Sequence, residues 1–349
     1  MSLMKAVVIE RFGDSSVLNP RQVETPELAQ NDVLIKVNVA GVNHVDLDIR
    51  AGTSGMPIKF PHIPGVDAAG TIVDVGNGVS NFNKDDRVIP HFELACGNCR
   101  NCLAGRENIC LNFGILGGTC WGTYAEYVKV QSHHLMRIPD GLNDTDAVAA
   151  FIPFATCWEA MMTNGKLVPG ETVLINAAGS GVGTAGLQIA RMAGCRIIAT
   201  AGSNEKLEKA RELGADITIN YQTENTVDTI MQATNGIGVN LALDMVGGEV
   251  LINTIKSMAS GGRIVSVGAH AGEKVEIDFI ELFRKHIAIY GCGRSTRAVG
   301  EHVLDLVAAG KLKPIIDRVI PLNDAAQAHQ LLEDRACFGR VLLELGNNN

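Results

Sequence analysis

The chain is expected to be an α/β protein in two parts: a partly open β-barrel and a doubly wound parallel sheet with helices on both faces. Three observations lead there. Residues 4 to 140 hold short β-rich runs separated by Gly, Asn, Asp and Pro. From residue 172 onward helical and strand patterns alternate. Between these regions a β-branched run, Thr172 to Ile175, passes almost directly into Gly179, Gly181 and Gly183 and then into a periodic helix. At 349 residues the chain is also long for one core, so two domains are expected.

Taken in order, the first part offers strands at Lys5 to Glu10, Asp32 to Ala40, Ala68 to Val75, Arg87 to Pro90 and Tyr124 to Val130. Within it lies Cys96-Gly-Asn-Cys99-Arg-Asn-Cys102, with Cys110 eight residues further on. Four thiols so spaced in a polar loop can surround one tetrahedral ion. A closed four-sulfur shell has no open position, so this zinc holds structure and does no chemistry, contributing on the order of 10 kcal/mol to local folding. Four buried apolar cysteines are the bland alternative. Nine cysteines in all, an odd number with four clustered, fit a reducing compartment and a metal site better than disulfides.

From Asp140 the pattern changes. Asn143 to Asp146 can cap a helix running towards Met162, and Pro169-Gly170 punctuates the approach to the glycine turn. Strand, glycine turn, helix and the second strand Arg196 to Thr200 form a dinucleotide cradle. Backbone N–H groups at Gly179, Gly181, Val182 and Gly183 can approach a pyrophosphate at the positive end of a helix dipole. An NAD cradle usually has a carboxylate after its second strand, but that place falls to Ala201. Ser203, Asn204 and Lys206 can instead serve a 2′-phosphate, which favours NADPH over NADH. The same Ser203 or Asn204 also reads as a helix N-cap, and Glu205 weakens the field of Lys206.

Further alternation follows: helices at Glu205 to Leu213, Asn225 to Ala233 and Glu249 to Met258, and strands at Ile217 to Asn220, Asn240 to Asp244, Arg263 to Val267 and His286 to Tyr290. Gly247-Gly248, Gly261-Gly262 and Gly268 are expected at strand ends, where open α/β sheets bind ligands. The tail departs from the repeat, with helices Arg297 to Ala309 and Asp324 to Leu332 and strands Arg318 to Pro321 and Arg340 to Leu345. It can return to the first part. There is no internal repeat, and the chain ends in Asn347-Asn348-Asn349.

A formal charge of −8 and few aromatic residues oppose a nucleic-acid surface. The longest apolar run, Ala147 to Ala155, is broken by Pro153 and too short for a bilayer. A cytoplasmic protein without nucleic-acid or membrane partners is expected.

With these features the chain resembles the medium-chain dehydrogenase/reductase superfamily over nearly its whole length. The cysteine spacing resembles the structural zinc lobe of its alcohol dehydrogenases. Ala178-Gly-Ser-Gly-Val-Gly183 and Gly214-Ala215-Asp216 through Asn220-Tyr221 resemble its quinone oxidoreductase branch. The resemblance implies a GroES-like catalytic domain at 1–140 and 295–349, with the zinc lobe at 94–112. It implies a Rossmann coenzyme domain at 141–294, a substrate cleft where the two meet, and a homodimer or homotetramer paired through the coenzyme domain. By family position Thr156 borders the nicotinamide and Tyr221 the adenosine phosphate, although Tyr221 also reads as an exposed loop aromatic.

The chain departs from the family at the catalytic zinc. Asn43 stands where the first Cys belongs, Val66 where the His belongs, and no Cys lies at the expected distance before Thr156. Valine cannot ligate a metal. The expectation is therefore one structural zinc, no catalytic metal, and hydride transfer to an acceptor that is already activated, a quinone or an enone. Ordinary donors can hold the enolate charge that develops, and Asn43 offers an N–H₂. His44 and Asp46 either position water or ribose hydroxyls, or cap a turn and satisfy buried backbone. Two alternatives stay open: an alcohol dehydrogenase with a zinc site rebuilt from His44, Asp46, His62, Asp67 and Cys157, and an NADPH-binding structural or sensing protein. His62, His91, His133 and His134 otherwise read as surface or hydrogen-bonded residues, and Cys120, Cys195, Cys292 and Cys337 as small apolar fillers.

Overall fold

The computed structural model describes residues 2–345, so the terminal asparagines lie outside the described residues. Two compact units are present: the chain through Phe151 together with the chain from Thr296 onward, and Ile152–Ser295. The first boundary falls inside a helix, eleven residues beyond the 140/141 position expected from sequence.

In the first unit β1 (Leu3–Val8) pairs antiparallel with β2 (Asn19–Glu24). In β3 (Asp32–Gly41), Val33, Ile35 and Val37 are buried while Lys36 is exposed, the alternation of a strand with one face on a core. Next come α1 (His44–Ala51), β4 (Asp67–Val75) and β5 (Arg87–Pro90). The cysteine lobe holds β6 (Glu93–Leu94), α2 (Arg100–Leu103) and β7 (Gly114–Ile115), and β8 (Tyr127–Gln131) and β9 (Leu135–Arg137) follow. Asn143 caps α3 (Asp144–Cys157), its Oδ1 accepting the Asp146 N–H at 2.7 Å. Beyond Cys157 the helix widens into a π-helical stretch, Trp158–Asn164.

The second unit runs β10 (Thr172–Ile175), α4 (Gly181–Met192), β11 (Arg196–Ala201), α5 (Asn204–Glu212), β12 (Ile217–Asn220), α6 (Thr226–Ala233), β13 (Val239–Asp244), α7 (Gly248–Lys256), β14 (Met258–Ser266), α8 (Phe279–Arg284) and β15 (Ala288–Gly291). Its six parallel strands lie in the order β12-β11-β10-β13-β14-β15. The chain reverses its direction of travel across the sheet between β10 and β13, the place where doubly wound sheets bind ligands. Leu174, Ile198, Ile219, Ala242 and Ile264 fill its core.

The tail, α9 (Arg297–Ala308), β16 (Ile316–Pro321), α10 (Ala325–Glu333) and β17 (Arg340–Glu344), belongs to the first unit. β17 pairs antiparallel with β3, and the sheet runs β16-β17-β3-β4-β5-β9 with β8 also on β3. Ile320, Leu332 and Leu343 of the tail pack with Ile35, Val37 and Ile72 in one core. The last strand therefore completes a core that the first 140 residues begin.

The sequence reading needs three corrections. Gly261 and Gly262 lie within β14, whose pairing with β13 slips between Val239 and Leu241, and not at a strand end. α1 is a full helix although its apolar residues, Val45, Leu47 and Ile49, alternate at the spacing of a strand and show no helical period. Cys120 is exposed and is no filler, whereas Cys195 and Cys292 are buried.

Candidate functional site

In the coenzyme unit, Ser180 is the N-cap of α4 and its Oγ accepts the Gly183 N–H at 2.9 Å. The Thr184 N–H is returned to the Ser180 carbonyl. This leaves the Gly181 and Val182 N–H groups as the first-turn donors of a twelve-residue helix, the arrangement that receives an anion. A Cβ at Gly183 would stand 2.3 Å from the Ala177 carbonyl oxygen, so no other residue lets this turn lie so close to its strand. Gly179 is buried behind it. The residues fit a dinucleotide pyrophosphate.

Ala201 ends β11, and Ser203 caps α5 with its Oγ accepting the Lys206 N–H. Glu205 is paired with Lys209 at 2.8 Å, which offsets the charge that opposes Lys206. Tyr221 lies beside the same turn: a Cβ on Gly202 would be 2.6 Å from its Oη. Gly268 follows β14, where a Cβ would meet the Met245 carbonyl oxygen at 3.0 Å. Beneath these loops a buried network supports the strand ends. Asn176 takes the Thr200 hydroxyl at 3.2 Å and donates to Thr254 at 3.0 Å, while Asp244 accepts the Gly247 N–H at 3.2 Å. Thr156 is half-buried near the end of α3. Next to it the buried Cys157 thiol donates to the Val182 carbonyl at 3.0 Å, and burial pushes its pKa well up.

In the barrel unit, Asn43 precedes α1 and is buried. Its Oδ1 accepts Arg340 Nη1 at 2.8 Å, and its buried Nδ2 lies beside the Asp67 carboxylate, whose pKa it helps to hold down. Arg340 also reaches the Val42 carbonyl at 3.1 Å and Asp67 Oδ2 at 2.7 Å. Gly41 makes room for this pair, since a Cβ there would lie 2.4 Å from Arg340 Nη2 and 2.6 Å from Asp67 Oδ2. Asp46 is fully buried and accepts the Asn43 N–H at 2.9 Å, the Val66 N–H at 3.1 Å and the Tyr124 hydroxyl at 3.3 Å. Of the two roles weighed for Asp46, this geometry supports the satisfaction of buried backbone. His44 opens the helix on its exposed side. Burial raises Asp46 to about 7, against the Asn43 N–H, and raises Asp67 to about 6, against the Arg340 guanidinium.

Val66 is fully buried. Among the described residues, His44, Asp46, His62 and Asp67 form no group of three metal-ligating atoms. His62 is instead bonded to the Gly117 carbonyl at 2.8 Å.

The four cysteines do converge. Sγ separations are 3.5 Å for Cys99–Cys102, 3.5 Å for Cys96–Cys110 and 3.9 Å for Cys99–Cys110, and all four sulfurs lie within 4.8 Å of one another. Zinc–sulfur bonds of about 2.3 Å imply tetrahedron edges of about 3.8 Å, so the set fits one zinc. Cys110 Sγ also accepts the Cys96 and Asn112 N–H groups, both at 3.3 Å. Backbone donors bring the Cys99 thiol down to about 6, whereas desolvation and its neighbours push Cys102 up to about 12.

Sequence reasoning missed Tyr124, His329, Arg50 and Arg340 in the barrel, and no motif marks them. It also placed His91 among surface or hydrogen-bonded residues. His91 is buried and not on the surface, its ring is hydrogen-bonded to backbone at Glu93 and Thr296 as the second half of that reading has it, and burial takes it down to about 4.

Comparison with known proteins agrees with this architecture. A profile for the alcohol dehydrogenase GroES-like domain matches residues 29–140, and one for zinc-binding dehydrogenases matches residues 181–309. An alcohol dehydrogenase of Geobacillus stearothermophilus is 32% identical across 98% of this chain and 99% of its own. A quinone oxidoreductase of Sus scrofa is 31% identical across 98% of each. A crystal structure of an NAD-dependent alcohol dehydrogenase matches with a TM-score of 0.94 at 38% identity, covering 98% of this chain and 100% of that one.

Proposed function

The chain belongs to the medium-chain dehydrogenase/reductase superfamily as a zinc-type alcohol-dehydrogenase-like NAD(P)-dependent oxidoreductase, and on that premise we propose that it reduces quinones or α,β-unsaturated carbonyls with NADPH, without a catalytic metal. The observation that carries this reading is the buried Val66 at the expected histidine position, with Asn43 at that of the first cysteine. An aliphatic side chain has no lone pair to give, and no neighbouring cluster replaces it among the described residues.

Once bound, the nicotinamide coenzyme would supply a hydride. In an enone the hydride adds to the alkene carbon, and the carbonyl oxygen gathers the charge. Asn43 Nδ2 is the donor for that oxygen; its oxygen end is already held by Arg340, so the amide has one orientation. Water returns the proton. The Gly181 and Val182 N–H groups receive the pyrophosphate where Gly183 keeps the turn tight, Thr156 borders the nicotinamide, and Ser203, Lys206 and Tyr221 face the 2′-phosphate. Ala201, in place of a carboxylate, supports NADPH over NADH.

The alcohol dehydrogenases among the relatives favour a second reading, alcohol oxidation with a rebuilt zinc site. Both readings are tested by following NADPH and NADH consumption separately with a quinone and an enone, and coenzyme reduction with a primary alcohol, beside zinc analysis. The proposal expects NADPH-dependent turnover of the first two and about one zinc per chain. About two zinc ions with chelator-sensitive alcohol oxidation would establish the second reading instead.

A further inference from the structure

Asp46 is the inner end of a hydrogen-bond chain that crosses the barrel unit. Tyr124 Oη lies 3.3 Å from Asp46 Oδ2 and 3.1 Å from His329 Nε2. His329 Nδ1 lies 3.3 Å from Arg50 Nη1, and Arg50 is held by Glu333 and by the Gly13 carbonyl. Tyr124 and His329 are both fully buried.

Every proton in this chain is assigned by elimination. A guanidinium has only donors, so His329 Nδ1 accepts. The neutral imidazole then carries its hydrogen on Nε2 and donates to Tyr124. The tyrosine has one proton left, and it goes to Asp46. The carboxylate in turn accepts the backbone N–H groups of Asn43 and Val66, two of the three positions at which this chain departs from the zinc-ligand pattern.

The geometry points to Tyr124 and His329 as positioning residues, which act through Asp46 to hold the Asn43 and Val66 backbone in register for the acceptor carbonyl. This inference rests on the proposed role of Asn43. Burial keeps His329 near 3, so the imidazole stays neutral and the direction of donation is preserved at working pH. The charged and titratable groups around Asp46 are Asp67, Arg340 and Tyr124, with His329, Arg50 and Glu333 behind them. Losing the tyrosine hydroxyl removes a donor from a buried carboxylate and raises the pH at which it protonates.

The test compares Tyr124→Phe, His329→Leu and His329→Gln with the wild-type full chain. It reads kcat and the KM for NADPH from pH 5.5 to 9, and the ¹H–¹⁵N shifts of the Asn43 and Val66 amides. In Tyr124→Phe and His329→Leu the acid limb of kcat should move up by about one pH unit, a tenfold loss on that limb, with KM for NADPH unchanged. Both amides should titrate with the shifted limb. His329→Gln, whose amide can accept from Arg50 and donate to Tyr124, should restore the wild-type profile. If Tyr124→Phe does not fold, the two His329 variants give the same reading. Profiles parallel to wild type with only a lower melting temperature overturn the inference. Failure of the wild type to reduce any quinone or enone would sink the proposed function instead, and the amide titration would still report on the relay.

Discussion

Asn43 turns its carboxamide oxygen to Arg340, so its amide nitrogen is the donor that Asp67 and an acceptor would share. Asn43→Asp keeps the size and the Arg340 contact but loses the donor. It should lower kcat/KM for an enone by about 100-fold in steady-state rates, with the KM for NADPH unaffected. Gly41→Ala tests the neighbouring ion pair. The added methyl would meet both Arg340 and Asp67, and denaturant titration should show a loss of about 3 to 5 kcal/mol. At the cofactor end, Lys206→Glu should raise the KM for NADPH about tenfold and leave that for NADH within about twofold, because only the former carries a 2′-phosphate. Asn43, Val66 and Ala201 were legible in the sequence because each stands at a fixed offset from a motif. Arg340 was not, since nothing local distinguishes it from other arginines in strands.

The cysteine lobe and the glycine turn are elements whose chemistry lies within a few residues of chain. One zinc per chain is expected by metal analysis, and Cys99→Ser should abolish it and open residues 96–112 to proteolysis while the coenzyme unit still binds NADPH. The thiols must lose protons to ligate, so the zinc affinity of the four-cysteine site should fall as pH is lowered. Competition with a chelator at several pH values measures this. Element positions were read well where periodicity was strong, as in β10, β12 and α4. α1 was missed because a capping asparagine and the Asp46 carboxylate organise its start, and neither creates an apolar stripe. Gly261 and Gly262 were misplaced because glycine marks an irregular stretch inside a strand as readily as a strand end.

At the scale of the whole molecule, buried ionisable groups set the response to acid. His91, His134 and His329 fall from the usual 6.5 to about 4, 3 and 3 through burial. Their neutral forms favour the fold above pH 6.5, and that contribution is lost as pH drops towards the folded values. Asp46 and Asp67, raised to about 7 and 6, act in the opposite sense over the same range. His62 is also lowered and Asp244 also raised by burial, so the imidazoles outnumber the carboxyls by one and the melting temperature should fall as pH goes from 6 to 4. His134→Gln should flatten that slope. The coenzyme unit has a second large-scale feature. β15 is an edge strand with Tyr290 exposed, and Phe279 and Phe283 of α8 are 74% and 64% exposed. We expect a second copy of the chain to cover this face, as the family resemblance implies. Light scattering should report a dimer or tetramer, and Phe283→Glu should shift it towards monomer.

Composition and spacing were enough to specify the glycine turn, the four-cysteine lobe, and Asn43 and Val66 at the positions on which the metal-free proposal rests. Each depends on residues that meet through short stretches of backbone. The network joining Asn43, Asp46, Asp67, Tyr124, His329 and Arg340 was decided only when β17 and α10 packed beside β3 and α1. Its members are buried polar groups that must find partners. Which partners they find depends on strand register and core packing across nearly three hundred residues, distances that no local pattern records.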